Sequence, residues 1–305
     1  MTEILPYIIH RSSVNAWECD ENGHLNVRHF VGKNYQGLLH LLAEIGLTQK
    51  VLGTLGGQAR IANQHIRFHR EARMGMPLAI HGQLVDQHNS RFVFYTEIRH
   101  DRDDSLFTSF NTEIDIVDSE HQQLTGINLS IDKPGFEVPE YGAARSLHRE
   151  DIPATTIEAA LAMGYAETGR GTVMAEECEA DGRLAFYQYA GRIADAIPNF
   201  MSTIQSDVEF ALRSSGELGG AVIESRADYY SVLSCHSRCV ILSGVRSFTT
   251  KTKRLSHLIF DLDTKLPVVH SQGIAVALDL KTRRAVPFSA DRIERMTTRR
   301  LSGVS

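Results

Sequence analysis

From Val27 onward, apolar residues recur at steps of three and four: Val27, Phe30, Val31, Tyr35, Leu38, Leu41, Leu42 and Ile45. That period puts them on one broad face of a helix. Gly32 and Gly37 interrupt the run, where glycine costs helix propensity. They suit a helix against which a sheet packs closely. Further on the period shortens. Residues 59–69, 76–87, 90–100 and 105–118 carry β-branched and aromatic side chains in partial alternation, separated by turn-like stretches such as Asn89-Ser90 and residues 101–104. They predict four strands. With a strand over residues 6–17 ahead of the helix, the first half reads strand, helix, four strands.

The second half repeats that order, and a repeat changes the architecture from one large fold to two copies of a small one. A helical run from Phe186 to about Ile197, ended or kinked at Pro198, follows an expected strand over 171–177 and precedes strands at 220–230, 238–250, 253–263 and 268–280. The copies are anchored by ECDENGHLNVRHFVG, starting at Glu18, and ECEADGRLAFYQYAG, starting at Glu177, which share Glu, Cys, Gly, Leu and Gly in register. Between the halves, Pro134, Pro139 and Pro153 sit among many charges. This stretch reads as a connector holding one short helix within 155–164. The expected division is a first unit at 1–132, a connector at 133–165 and a second unit at 166–305. One apolar helix against a long antiparallel sheet is an α+β layer arrangement, and two in one chain make a tandem dimer.

Composition narrows the partners. The 305 residues suffice for two domains, and 32 basic against 37 acidic residues give a formal charge of −5, which offers no overall attraction for nucleic acid or an anionic membrane. No uninterrupted apolar run approaches the roughly 20 residues that span a bilayer, and the N-terminus lacks the apolar core of a secretory signal. The expectation is a cytoplasmic protein with small-molecule or protein partners. Its four cysteines are too few for a disulfide framework in so long a chain, and Cys235 and Cys239 lack a second pair at zinc spacing. Reduced thiols and no metal or other cofactor are expected.

A strand followed by WECDENGHLNVRHF, a buried helix and antiparallel strands resembles the hot-dog fold of the 4-hydroxybenzoyl-CoA and acyl-CoA thioesterases. Duplicated, it resembles a double hot-dog thioesterase. Asp20, Asn22, His24 and Asn26 are similar to the D-x-N-x-H-x-N string of plant acyl-ACP thioesterases. Arg70 and Glu71 resemble the Arg-Glu-Cys on a strand of the same enzymes, with Ala72 where their Cys would stand. That departure speaks against a thiol nucleophile. A second departure is position, because the plant enzymes carry their motif in the second repeat and here the first is intact.

The resemblance implies hydrolysis of an acyl-CoA or acyl-ACP thioester, which needs a nucleophile or a base for water and donors aimed at the developing oxyanion. Asp20 would attack or activate water, Asn22 would orient it, and His24 would donate to the oxyanion or carry a proton near neutral pH. Glu71 joins them as a catalytic candidate. Gly23 lets backbone approach a ligand, and the N–H groups at Asn26, Val27 and Arg28 lie where a helix start polarises a carbonyl. Each has a plainer reading beside it: Asn26 as an N-cap, Asp20 as a dipole partner, His24 as a loop residue, Glu71 as half of a surface ion pair.

In the second copy the four motif residues become Glu179, Asp181, Arg183 and Ala185. Arginine does not exchange protons near neutral pH, so one working site per chain is expected. Arg183 is left to an anion contact or an ion pair. Arg67, His69, Arg70 and Arg73, with the tail residues Arg292, Arg295, Arg299 and Arg300, are further candidates for holding phosphates. A homodimer of such chains fits the architecture. Two other functions share this fold. Hydratases and dehydratases carry an Asp-x-Asn-Pro-x-His-like string, whereas here Gly23 follows Asn22 and His24 falls two positions after it. A non-catalytic acyl-thioester-binding protein is the other.

Overall fold

The computed structural model describes residues 8–125, 127 and 136–303. The chain divides into two compact units, Met1–Ala144 and Arg145–Ser305. The expected boundary at 132/133, Pro134 and the first residues of the expected N-terminal strand lie outside the described residues.

In the first unit, β1 (Ile8–Ser13) leads through a 3-10 turn at Ala16–Glu18 to α1 (Val27–Glu44) and the short α2 (Gln49–Thr54), then β2 (Gln58–Phe68), β3 (Pro77–His88), β4 (Arg91–His100) and β5 (Leu106–Val117). The strands run in the order β1-β3-β4-β5-β2, every pair antiparallel. Helix α1 lies on β1 and β3, burying Phe30, Val31, Leu38, Leu41 and Leu42. Two glycines set how closely it lies. A Cβ on Gly37 would meet Ile9 Cδ1 at 2.8 Å, and one on Gly82 would meet the same atom at 2.6 Å and Leu41 Cδ1 at 2.7 Å. The Ile9 side chain therefore occupies the space both glycines leave empty. The fully buried Asn34 accepts a 2.5 Å hydrogen bond from Thr96 Oγ1, giving the helix a polar anchor on β4.

Residues 136–144 close over this unit. Ala143 O accepts from Arg67 Nη1 (3.1 Å) and Gly142 O from Asn111 Nδ2 (2.8 Å). Tyr141 and Tyr95 hydroxyls both donate to the buried Glu97, which also receives Arg99 Nε at 2.6 Å.

The second unit comprises α3 (Ile157–Ala162), β6 (Ala166–Thr172), a 3-10 turn at Ala175–Glu177, α4 (Phe186–Ile204), α5 (Asp207–Ser214), β7 (Leu218–Tyr229), β8 (Arg238–Phe248), β9 (Thr252–Asp261), β10 (Pro267–Asp279), β11 (Arg284–Val286) and α6 (Ala290–Thr298). Its strand order, β6-β8-β9-β10-β7 with β11 added on β10, repeats that of the first unit. Two expectations need correction. The strand before α4 begins at Ala166, and the residues expected as strand end in a 3-10 turn. Pro198 does not end α4, which runs on to Ile204. Phe200, Met201 and Ile204 pack there with Val245 and Leu255, and that burial outweighs the hydrogen bond proline removes.

Candidate active site

Both copies of the motif form the same backbone turn. In the first, Asp20 N donates to His24 O (2.7 Å), Gly23 N to Asp20 O (3.0 Å), Leu25 N to Ala72 O (2.8 Å) and Asn26 N to Glu18 O (2.9 Å). In the second, Glu179 N to Arg183 O, Gly182 N to Glu179 O, Leu184 N to Leu233 O and Ala185 N to Glu177 O measure 2.8, 2.9, 2.8 and 2.9 Å. The shared glycine adopts φ +76° at Gly23 and +80° at Gly182, a left-handed conformation that β-carbon sterics penalise. The shared glutamate braces the turn against the helix: Glu18 Oε1 lies 2.8 Å from Lys33 Nζ, and Glu177 Oε2 lies 2.7 Å from Arg192 Nη2. Burial opposes ionisation of Glu18, but hydrogen bonds from Lys33 and the Asn15 N–H hold its carboxyl below the usual range. Lys33 is a residue pattern reading missed, since a lysine on an apolar helix face carries no signal. The recurrence of a cation at Arg192 in the repeat would have exposed it.

What differs between the copies is the side chains. Asp20 Oδ1 accepts from Asn22 N (2.9 Å) and His24 N (3.1 Å), so one carboxylate oxygen shapes the turn and Oδ2 takes no hydrogen bond among the described residues. The His24 ring lies between two acids, with Nδ1 4.0 Å from Asp20 Oδ1 and Nε2 3.1 Å from Glu71 Oε2. The pairing of Leu25 with Ala72 and the bridge between His24 and Arg73 bring Glu71 to this place. Side-chain exposures of 25% for Asp20, 12% for His24 and 30% for Glu71 leave the group sheltered yet reachable. Arg73 Nη2 approaches Glu71 at 3.6 Å. In the second turn, Arg183 makes an ion pair with Asp181 (Nε to Oδ2, 2.7 Å), and Val232 stands where Glu71 does, one residue before the Leu184 partner Leu233.

The helix start is mostly occupied. Asn26 Oδ1 accepts from Arg28 N at 3.0 Å, the N-cap arrangement, and Asn26 N is taken by Glu18 O. Val27 N makes no hydrogen bond among the described residues. Arg70 is not brought to the turn, its Nη1 reaching Ser105 Oγ at 3.3 Å. Arg67 is tied to Ala143 O, and His69 Nε2 lies 3.0 Å from Ser109 Oγ. Burial, with Arg67 and Arg99 nearby, pushes the His69 ring down to about 4. The exposed Trp17 immediately precedes the turn, and the exposed Met74 lies one residue beyond Arg73. Arg295 pairs with Asp291, and Arg300 Nε donates to Arg246 O. Among the described residues no group of three His, Cys, Asp or Glu could hold a metal ion, the four cysteines are free thiols, and no helix is long and apolar enough to cross a membrane.

Comparison with known proteins now places the fold. The family model of the thioesterase-like superfamily matches residues 14–140, the stretch that carries the first turn and its sheet. No curated protein sequence matches the chain. Among solved structures, the chain is similar to an acyl-ACP thioesterase from Bacteroides thetaiotaomicron, with TM-score 0.65 and 8% identity over 87% of this chain and 96% of that one. It is similar as well to the 12:0-ACP thioesterase from Umbellularia californica, with TM-score 0.62 and 9% identity over 87% and 95%. Residues 14–140 thus match the thioesterase-like superfamily, and the chain as a whole has the double hot-dog fold.

Proposed function

We propose that this chain hydrolyses an acyl thioester carried on acyl-carrier protein or coenzyme A, and that the chemistry takes place at the first turn. The observation that carries the reading is the imidazole of His24 set between the carboxylates of Asp20 and Glu71, a group missing from the second turn, where the backbone is otherwise the same. A carboxylate with one oxygen held by backbone N–H groups keeps the other aimed and available. Asp20 Oδ2 attacks the acyl carbon or takes a proton from the attacking water. Glu71 orients His24 through Nε2, as a third group orients the base in other hydrolytic sites. The ring passes the proton toward the leaving thiolate. Val27 N–H, at the positive end of α1, polarises the thioester oxygen. The carrier-linked substrates named for the similar structures support an acyl carrier as partner.

The test follows thiol release from acyl-CoA and acyl-ACP panels. Asp20→Asn retains an acceptor for the two N–H groups, so its stability should stay near wild type while kcat falls about 10²–10⁴-fold. Wild-type turnover in this variant would remove Asp20 from the mechanism. Single turnover in H₂¹⁸O tests the covalent route, because label in the Asp20 carboxylate requires an acyl–Asp20 anhydride that water opens at the Asp20 carbon. Thiol silence across both panels would favour an acyl-thioester-binding protein.

A further inference from the structure

Under α6, the second unit buries more positive charge than it neutralises. Lys253 of β9 is 4% exposed and Arg292 of α6 1% exposed. Lys253 Nζ hydrogen-bonds to Met201 Sδ at 3.5 Å and stands 5.8 Å from the centroid of the Phe288 ring, while Arg292 lies over the same ring at 4.7 Å. Arg213 of α5, half-buried, is close enough to repel both. Among the described residues the acid that faces these cations is Glu209, with Oε2 3.3 Å from Arg292 Nη1. That acid is already engaged, accepting from Ser289 Oγ at Oε1 and from Ser206 N at Oε2. With all three protonated, three basic groups against one carboxylate leave two positive charges unneutralised in and at the edge of a buried place, and an unpaired buried ion is strongly destabilising.

The hydrogen-bond inventory points the same way. Arg292 Nε and Arg213 Nε are buried and have no hydrogen-bond partner among the described residues, and Arg292 Nη1 has only its 3.3 Å ion pair with Glu209. All three are donors. Orphaned donors in a folded protein call for an ion or water that supplies the acceptor, and the surplus charge selects an anion of charge about −2. Guanidinium groups favour oxyanions, which accept at several oxygens at once.

We propose that Lys253, Arg292 and Arg213 form a binding site for a small tetrahedral dianion, inorganic phosphate or sulfate. The site uses none of the residues of the first turn and stands independently of thioester hydrolysis. Burial, and then the two arginines, hold the Lys253 ammonium well below its ordinary range when the site is empty. A dianion among the three cations reverses that pressure and restores the charge.

The experiment is equilibrium dialysis of the full-length chain against radiolabelled inorganic phosphate, with thermal melts in phosphate and in chloride at matched ionic strength. The expected result is about one phosphate bound per chain, displaced by sulfate, and a Tm about 3 °C or more higher in phosphate. Lys253→Met removes the amine while keeping an apolar chain in the core, and should lose the phosphate response. Arg213→Gln, at the half-buried edge, should weaken phosphate binding at least tenfold without disturbing the core. Absence of bound phosphate in the wild type, or equal phosphate responses in wild type and both variants, overturns the proposal.

Discussion

Glu71 stands in a stretch, HREAR, where the local pattern gives no reason to separate it from a surface ion pair. Its meaning comes from a neighbour distant in sequence, the ring of His24 3.1 Å away. Glu71→Gln keeps the shape and removes the charge, so kcat should drop about 10–10²-fold with Tm changed by no more than about 2 °C, since the side chain is part-exposed. Assay and melt together check this. An unchanged kcat would reduce Glu71 to the surface pair. Asp20, His24 and Gly23 were legible because the repeat isolates them: comparing the two copies separates the positions that hold the turn's shape from those that change between copies. Glu71 became a candidate only through the resemblance, because the pairing that brings it in is tertiary. Arg292 was readable only as one of several tail arginines that could hold a phosphate, and Lys253 carried no signal, as the chain lays a strand and a helix from different stretches against one phenylalanine.

At the scale of elements, the 3.6 and 2.0 periods located α1 and the eight long strands to within a few residues, since each exposes a regular face to a core. Short elements escaped: α2, α5 and β11 are too brief to show a period. Pro198 misled in the other direction, because local chemistry predicts a break and the apolar face beyond it holds α4 together. At Gly82, three side chains from β1, α1 and β4 converge on the missing Cβ, with Thr96 Cγ2 at 2.9 Å completing the set. Gly82→Ala must push α1 away from the sheet, with an expected cost of about 1–3 kcal/mol. Chemical denaturation measures it directly. A loss below about 0.5 kcal/mol would mean that Ile9 and Leu41 swing aside freely.

At the scale of the whole molecule, two units of one topology differ in what they bury. The second encloses His257, with Nδ1 2.8 Å from Ser243 Oγ, and His270, with Nε2 3.0 Å from Ser256 Oγ. Burial pushes both down to about 4, and Arg246 adds to the effect at His270. Their folded values lie below the 6.5 of an unfolded chain, so the unfolded state binds more protons between those limits. The stability they contribute is complete above pH 6.5 and is withdrawn as pH falls toward 4, roughly 1–3 kcal/mol per ring. Melts from pH 7.5 to 4.5 should fall more steeply for the wild type than for His257→Gln; parallel slopes would contradict this. The paired turns carry a different lesson. The second retains the hydrogen bonds and left-handed glycine of the first, and a carboxylate at Glu179, but has arginine in place of the imidazole and Val232 in place of Glu71, so the shape recurs without the full set of side chains proposed to react. For a designer, that makes residues 177–185 a vacant socket. Aspartate at 179, histidine at 183, asparagine at 185 and glutamate at 232 would be grafted onto a main chain that already bends the right way.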